Sequence, residues 1–132
     1  MENHSTTLVP MLYLKNLAAA IEFYKNAFDA TELWRISNPD GNVHVAEMSI
    51  ATVLFRMHEE VTRDNEMSPS TFGGTTVVLG LLVNDPDEVA KKAVAAGGTE
   101  LSPVKDYEYG YRQGTVRDPF GHHWQIEKNT RI

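Results

Sequence analysis

The sequence contains no cysteine. That excludes a disulfide framework, a thiolate metal site and a cysteine nucleophile, and it suits a reducing compartment such as the cytoplasm. Basic residues are also scarce: 12 Lys and Arg stand against 18 Asp and Glu, a net charge of −6. A chain of that sign repels phosphate backbones. No basic stripe interleaved with aromatics offsets it, so nucleic acid is not an expected partner. No apolar run approaches the ~20 residues that a membrane-spanning helix needs. Residues 1–7 are polar and lack the apolar core of a secretory signal. A phosphate-cradling loop is missing too, because Gly73-Gly74 and Gly97-Gly98 have neither the spacing nor the lysine. No serine sits in a nucleophile-elbow context, and no glycosidase carboxylate pair can be placed.

What remains is one domain's worth of chain. At 132 residues it buries roughly two thirds of its unfolded surface without staples. Residues 8–14 read as a short apolar strand in which Pro10 restricts pairing. Asn16 is a helix N-cap, and Leu17, Ile21, Tyr24 and Phe28 form one apolar stripe facing a sheet. Strands follow at residues 31–37, 43–50 and 52–58, with a turn at residues 38–42 and a very short connection at Ala51. From residue 59 to 74 periodicity disappears into a polar linker, long enough to join two modules or to carry function.

The first pattern then returns. Residues 75–83 are an apolar strand, and Asp85-Pro86-Asp87-Glu88 opens a helix that Gly97-Gly98 stops. A strand at 99–104, a loop at 105–110 and a closing hairpin complete the chain. Strand, helix and three strands thus occur twice, in module one (8–58) and module two (75–128). Thr31-Glu32-Leu33 after the first helix is echoed by Thr99-Glu100-Leu101 after the second. Repetition of half the chain argues for duplicated halves about a pseudo-twofold axis. Pro39-Asp40-Gly41 with Glu47 also resembles Pro119-Phe120-Gly121 with Glu127. That likeness falls one hairpin too early in its module and reads as coincidence.

The closing hairpin is the most specific stretch. Tyr109-Gly110-Tyr111-Arg112 leads into Arg117-Asp118-Pro119-Phe120-Gly121-His122-His123-Trp124. Asp118-Pro119-Phe120-Gly121 is a turn in which proline presets φ and glycine accepts a positive φ. This run resembles the closing hairpin of the glyoxalase/bleomycin resistance/dioxygenase superfamily, also called vicinal oxygen chelate, and most of all its PhnB-like branch. Asn16-Leu17 with Ile21-Glu22-Phe23-Tyr24, Ser68-Pro69 with Phe72-Gly73-Gly74-Thr75, and Val83-Asn84-Asp85-Pro86-Asp87 extend the likeness over nearly the whole chain. Asp29 departs from it, standing where members often have glycine. The resemblance implies an α+β fold of two βαβββ modules whose curved mixed sheets enclose a cavity. It also implies a homodimer.

Metal-dependent members hold a divalent ion with His or Glu on the first, fifth and last strands. Carried over position by position, those ligands fall on Val9, Val78 and Gln125. Valine cannot bind a metal, and glutamine offers only a neutral carbonyl. No metal and no other cofactor is therefore expected. His44, Glu47, His58, His123 and Glu127 are the other potential ligands. His44 and Glu47 point to opposite faces of one strand, and His123 and Glu127 lie about 13 Å apart along another.

Period-two parity places His123, Gln125 and Glu127 on one face of the last strand, with Val9, Met11 and Tyr13 and with Val78, Gly80 and Leu82 on the matching faces of the first and fifth. Gly80 leaves open space. Trp34, Phe55 and Met57 are expected to add apolar wall. Arg56 and Arg112 are candidate anchors for an anionic or carbonyl-bearing ligand, with a salt bridge from Arg112 to Asp106 or Glu108 as the alternative. Tyr107, Tyr109 and Tyr111 form either a stacking lid or a cover for the core. The expected role is metal-free binding of a small, partly aromatic molecule, an antibiotic for example. Tyr13, Trp34, Phe55, Gly80, Arg112, His123, Gln125 and Glu127 are the contacts. A metal-dependent lyase, isomerase or dioxygenase is the alternative, and a scaffold with a filled cavity is the third reading.

Overall fold

A computed structural model describes residues 5–132, so His4 lies outside the described residues. Its elements are β1 (Met11–Leu14), α1 (Leu17–Phe28), β2 (Thr31–Ser37), β3 (Val43–Ile50), β4 (Val53–Glu59), α2 (Pro69–Phe72), β5 (Val78–Leu82), α3 (Pro86–Ala95), β6 (Thr99–Tyr107), β7 (Tyr111–Arg117) and β8 (His123–Asn129). The strands make two four-stranded sheets, ordered β1-β4-β3-β2 and β5-β8-β7-β6. In each, the first strand runs parallel to the last and the other pairs are antiparallel. The repeat read from the sequence is therefore structural. The echoed Thr-Glu-Leu segments open β2 and β6, and both ladders slip one residue at the leucine: between Glu32 and Trp34, and between Glu100 and Ser102.

Local chemistry sets the helix ends. The Asn16 side chain accepts from the Ala19 amide at 3.1 Å, and Asp85 accepts from Glu88 at 3.2 Å with Pro86 next in line. Asp29 ends α1 in the left-handed region at φ 54°, where glycine would be the easy choice and Asp is tolerated. Its carboxylate receives Lys92 Nζ from α3 at 2.9 Å. The linker is less irregular than its composition suggests. It holds a 3-10 turn at Thr62–Asp64 and the short α2. Glu60 accepts from both the amide and the hydroxyl of buried Ser68, at 2.8 and 3.0 Å. β6 runs on to Tyr107, so the predicted loop at 105–110 shrinks to a tight turn.

Both sheets bury one face against the helices, and α1 packs on α3. Leu12, Leu14, Ala46, Met48, Phe55 and Met57 from the first sheet meet Val116, Trp124 and Ile126 from the second around Ile21, Tyr24 and Phe28. Trp124 lies 4.8 Å from Phe28, 5.5 Å from Tyr24 and 6.0 Å from Phe55, ring centre to ring centre, so β8 shares its aromatic core with module one.

Asp118 holds this junction. It is 2% exposed. Its Oδ1 accepts from the amides of Phe120 and His122 at 2.9 and 3.0 Å, which closes the turn into β8. Its Oδ2 accepts from Trp124 Nε1 at 3.0 Å and from the Tyr24 hydroxyl of α1. Burial first, and the Asp118 charge second, push the Tyr24 hydroxyl well above its ordinary pKa, so it stays a donor. Gly121 completes the turn at φ 97°, and a Cβ there would meet Pro69 Cβ at 2.8 Å. The linker thus seats on the closing hairpin.

Two expectations need correction. Phe55, with Met57, belongs to the helix-facing core and not to a ligand wall, because β4 pairs with β1 so that Arg56 shares the face of Met11 while Phe55 packs on Tyr24 and Trp124. Arg112 lies on the same parity of β7 as buried Gly114 and Val116. It clamps Asp87 of α3 with two bonds of 2.8 Å and reaches Asp106 at 3.2 Å. It is a tie between sheet and helix, so it does not face a ligand.

Tyr24→Phe should cost about 1–2 kcal/mol and Asp118→Ala about 3 kcal/mol or more, because the latter strands two buried donors. At roughly 4 °C of melting temperature per kcal/mol for this size, calorimetry separates the two. Equal melting temperatures for both variants and the parent would remove Asp118 from its place in the core.

The Arg112 hydrogen bonds hold the Asp87 carboxyl below its usual range. The paired carboxylate favours folding above the unfolded-state pKa, and that contribution disappears as pH falls through the lowered folded value. In a carboxyl-carbon NMR titration, Arg112→Gln should return Asp87 to the ordinary aspartate range. An unmoved titration would contradict the clamp.

Candidate ligand-binding faces

The opposite, helix-free faces of the two sheets carry the polar chemistry. On the first sheet, cross-strand pairing lines up Met11, Arg56, Glu47 and Trp34. Glu47 is nearly buried. It accepts from Trp34 Nε1 at 3.2 Å and from Arg56 Nε at 2.7 Å. Arg56, an expected anion anchor, is therefore already neutralised. One register along, Tyr13 pairs with His58, their rings edge-to-face at 5.6 Å, and the Tyr13 hydroxyl donates to Glu66 at 3.0 Å. His44 contacts Glu59 at 2.7 Å and lies 4.5 Å from the His58 ring. Glu59 is held below the ordinary carboxyl range by Asn38 first and His44 second.

On the second sheet, β5, β8 and β7 align Gly80, Gln125 and Thr115 in one row and Leu82, Glu127 and Gln113 in the next. Gln125 Nε2 donates to Glu127 Oε1 at 2.9 Å and reaches Gln113 Oε1 at 3.4 Å. His123 aligns with Val78 and Arg117. Trp124 and Ile126 between them are buried, so His123, Gln125 and Glu127 share a face. The bare backbone of Gly80 makes room for Glu127: a Cβ would meet Oε2 at 3.2 Å. Tyr107 stacks on Tyr109 at 5.2 Å, and Tyr109 approaches Tyr111 at 6.2 Å. Lys105 Nζ lies 5.0 Å over Tyr107, and the Arg131 guanidinium 5.9 Å over Tyr111. The tyrosines therefore border the helix-free face and do not cover the core. Partial burial, then Tyr107 and Glu127, hold the Tyr109 hydroxyl above its ordinary pKa.

Of the expected contacts, Gly80, His123, Gln125 and Glu127 are brought together on the second sheet. Tyr13 and Trp34 share the first. Phe55 and Arg112 join neither. The chain does not close a cavity between the sheets: Trp34, Val78 and Leu82 on the helix-free faces are 40%, 51% and 64% exposed. A groove of about 440 Å³ does run between Met11 and Tyr13 on one side and Phe72, Val77, Leu79 and His122 on the other. Gln113, Thr115 and Lys105 were not singled out from the sequence, although parity along β7 points to the first two. Lys105 needs the register of β6, which its bulges hide.

The positions that the resemblance assigns to metal ligands do not fit an ion. Val78 has no donor atom, nor does Val9, just before β1. Gln125 offers an ion only its neutral amide oxygen. Among the described residues no group of three or more His, Asp or Glu is placed to hold a metal.

Comparison with known proteins agrees with this architecture. A protein of Mycobacterium bovis is 37% identical over 132 residues, covering 98% of this chain and 87% of the relative. A gene product from Arabidopsis thaliana of known structure is 28% identical with a TM-score of 0.72, covering 93% of this chain and 98% of its own. TioX from Micromonospora sp. ML1 (23% identical, TM-score 0.71, covering 93% and 95%) shares the fold. So does the genomically encoded fosfomycin resistance protein of Listeria monocytogenes, a mutant of which was solved with Mn(II) and a dihydroxypropylphosphonic acid (19% identical, TM-score 0.68, covering 94% and 90%). The family model described as glyoxalase/bleomycin resistance protein/dioxygenase superfamily matches residues 5–126, and the chain belongs to that superfamily.

Proposed function

We propose that this protein binds a small, partly aromatic organic molecule on its helix-free faces, without a metal ion, in the manner of a PhnB-like, drug-sequestering member of the superfamily. The observation that carries the reading is the second sheet. Gln113, Gln125 and Glu127 form a polar ledge between apolar Leu82 and the stacked tyrosines. A few oriented polar groups in an apolar surround are what an organic ligand needs for placement. Valine at two of the three inherited ligand positions supports binding without an ion. The cytoplasm suits a chain without cysteine.

Exposed Met11, Trp34 and Ile36 on one sheet, and Val78 and Leu82 on the other, call for a cover. A second copy supplies one, so the binding form is a homodimer whose subunits complete each other's faces. Sedimentation at micromolar concentration should give a dimer, and a monomer there would contradict this arrangement.

Trp34 reports on ligand, since Trp124 is sealed in the core. Aromatic dyes and antibiotics titrated against Trp34 fluorescence should reveal binding. Gln125→Ala and His123→Ala should then weaken it about five- to tenfold, the loss of one hydrogen bond of ~1 kcal/mol, with unchanged melting temperature. Elemental analysis of untagged protein should show no stoichiometric transition metal. About one zinc, nickel, iron or manganese per chain, lost in Gln125→Ala, would overturn the metal-free reading.

A further inference from the structure

Both helix-free faces carry a central carboxylate, and the two are treated differently. On the first sheet Glu47 is matched by Arg56 at 2.7 Å and by the Trp34 indole. On the second sheet Glu127 is half-buried and receives only the neutral amide of Gln125, on Oε1. Its Oε2 points over the bare backbone of Gly80 and accepts from no donor among the described residues. No lysine, arginine or histidine among them forms an ion pair with it.

The cations of that face lie elsewhere. Lys105 is two strands away across Gln113, roughly 10 Å at the usual strand spacing, and sits over Tyr107. Arg117 is exposed at the far end, four residues along β7 from Gln113, or roughly 13 Å. His123 is four residues along β8 from Glu127, a similar distance. Meanwhile Arg56 and Arg112, the guanidinium groups expected to anchor an anion, are both spent on carboxylates of the chain itself. The charge on the ledge itself is therefore negative, and the nearest cations, Lys105 and Arg131, lie beyond it over Tyr107 and Tyr111.

Beside it stands an electron-rich wall. Tyr109 is 52% exposed, stacked on Tyr107, and near enough to Glu127 to sense its charge. That Lys105 and Arg131 already lie over Tyr107 and Tyr111 shows that these rings favour cations. Accordingly, we propose that the second sheet selects a flat organic cation: a protonated amine or amidinium on an aromatic frame, its charge on Glu127 Oε2 and its ring against Tyr109. The proposal rests on the small-molecule reading above and names the ligand class for that site. A half-buried carboxylate with one vacant oxygen gains a charge-assisted bond from such a group, and the overall charge of −6 steers cations toward it.

Three fluorescent probes of similar size test it: acridine orange as the cation, Nile red as the neutral ring system and anilinonaphthalene sulfonate as the anion. Acridine orange should bind most tightly. Glu127→Gln, which keeps the shape and the bond from Gln125, should weaken acridine orange about tenfold or more and leave Nile red unchanged. Tyr109→Ala should weaken acridine orange a few-fold, and Arg117→Ala should not. Raised salt should weaken the parent's cation binding more than that of Glu127→Gln. Equal acridine orange affinity in the parent and Glu127→Gln overturns the proposal. So does preferred binding of the sulfonate, lost in Arg117→Ala. Either result leaves the small-molecule reading standing if the bound probe still responds to Gln125→Ala. Failure of all three probes to bind overturns both.

Discussion

The fold hangs on one buried carboxylate. Asp118 accepts from two amides of its own turn, from the indole of Trp124 and from the hydroxyl of Tyr24 on a helix of the other module. Desolvating a carboxylate is costly unless its lone pairs are filled, and four donors converge on this one. The same bonds fix where β8 begins, which decides that Trp124 and Ile126 look into the core and that His123, Gln125 and Glu127 look out. A one-residue slip would reverse the two sets. Stability and the orientation of the candidate site therefore share one cause, five residues before His123.

The repeat was legible because both levels of the sequence agree. Helix caps at Asn16 and Asp85, apolar stripes and strand alternation all predict the same elements, and α1, β2 and β3 have the bounds expected. Face assignment was legible where a strand alternates cleanly, as in β8. It failed for Phe55 and Met57. Placing β4 requires its register against β1, and Met11 pairs with Arg56, so even-numbered residues of β4 share a face with odd-numbered ones of β1. Nothing local in the sequence encodes that offset. Arg112 failed for a related reason. Asp106, a near neighbour, was in view, but Asp87 comes from a helix 25 residues earlier and gives the better fork. Long-range acids compete for arginine in ways that sequence proximity does not weigh.

The duplicated modules also diverge in a physically simple way. Bulges at Leu33 and Leu101 mark the equivalent place in each sheet, so the backbones remain comparable. The helix-free faces do not. The first is charge-balanced by an internal Glu–Arg pair with an indole at its edge, and the second carries a glycine gap, a glutamine ledge and a tyrosine border. A Glu–Arg pair with ideal neighbours gives a rigid surface with little left to recognise a charge.

Period-two alternation explains how such divergence is tolerated. Each strand presents its core set and its outward set independently, so residues such as Val9, Val78 and Gln125 lie outside the packing that Tyr24, Trp124 and Phe55 provide. Substitution on the outward set removes little buried area and strands no buried donor, so it costs far less than a comparable change in the core. Valine at the positions that the resemblance assigns to metal ligands is thus compatible with this core. The converse constraint is just as physical. Filling Gly80 would press on the Glu127 carboxylate, and altering Gly121 would push the turn against Pro69. The first change reshapes the face and the second threatens the hairpin that orients it, so the outward side chains vary freely only where they press on neither.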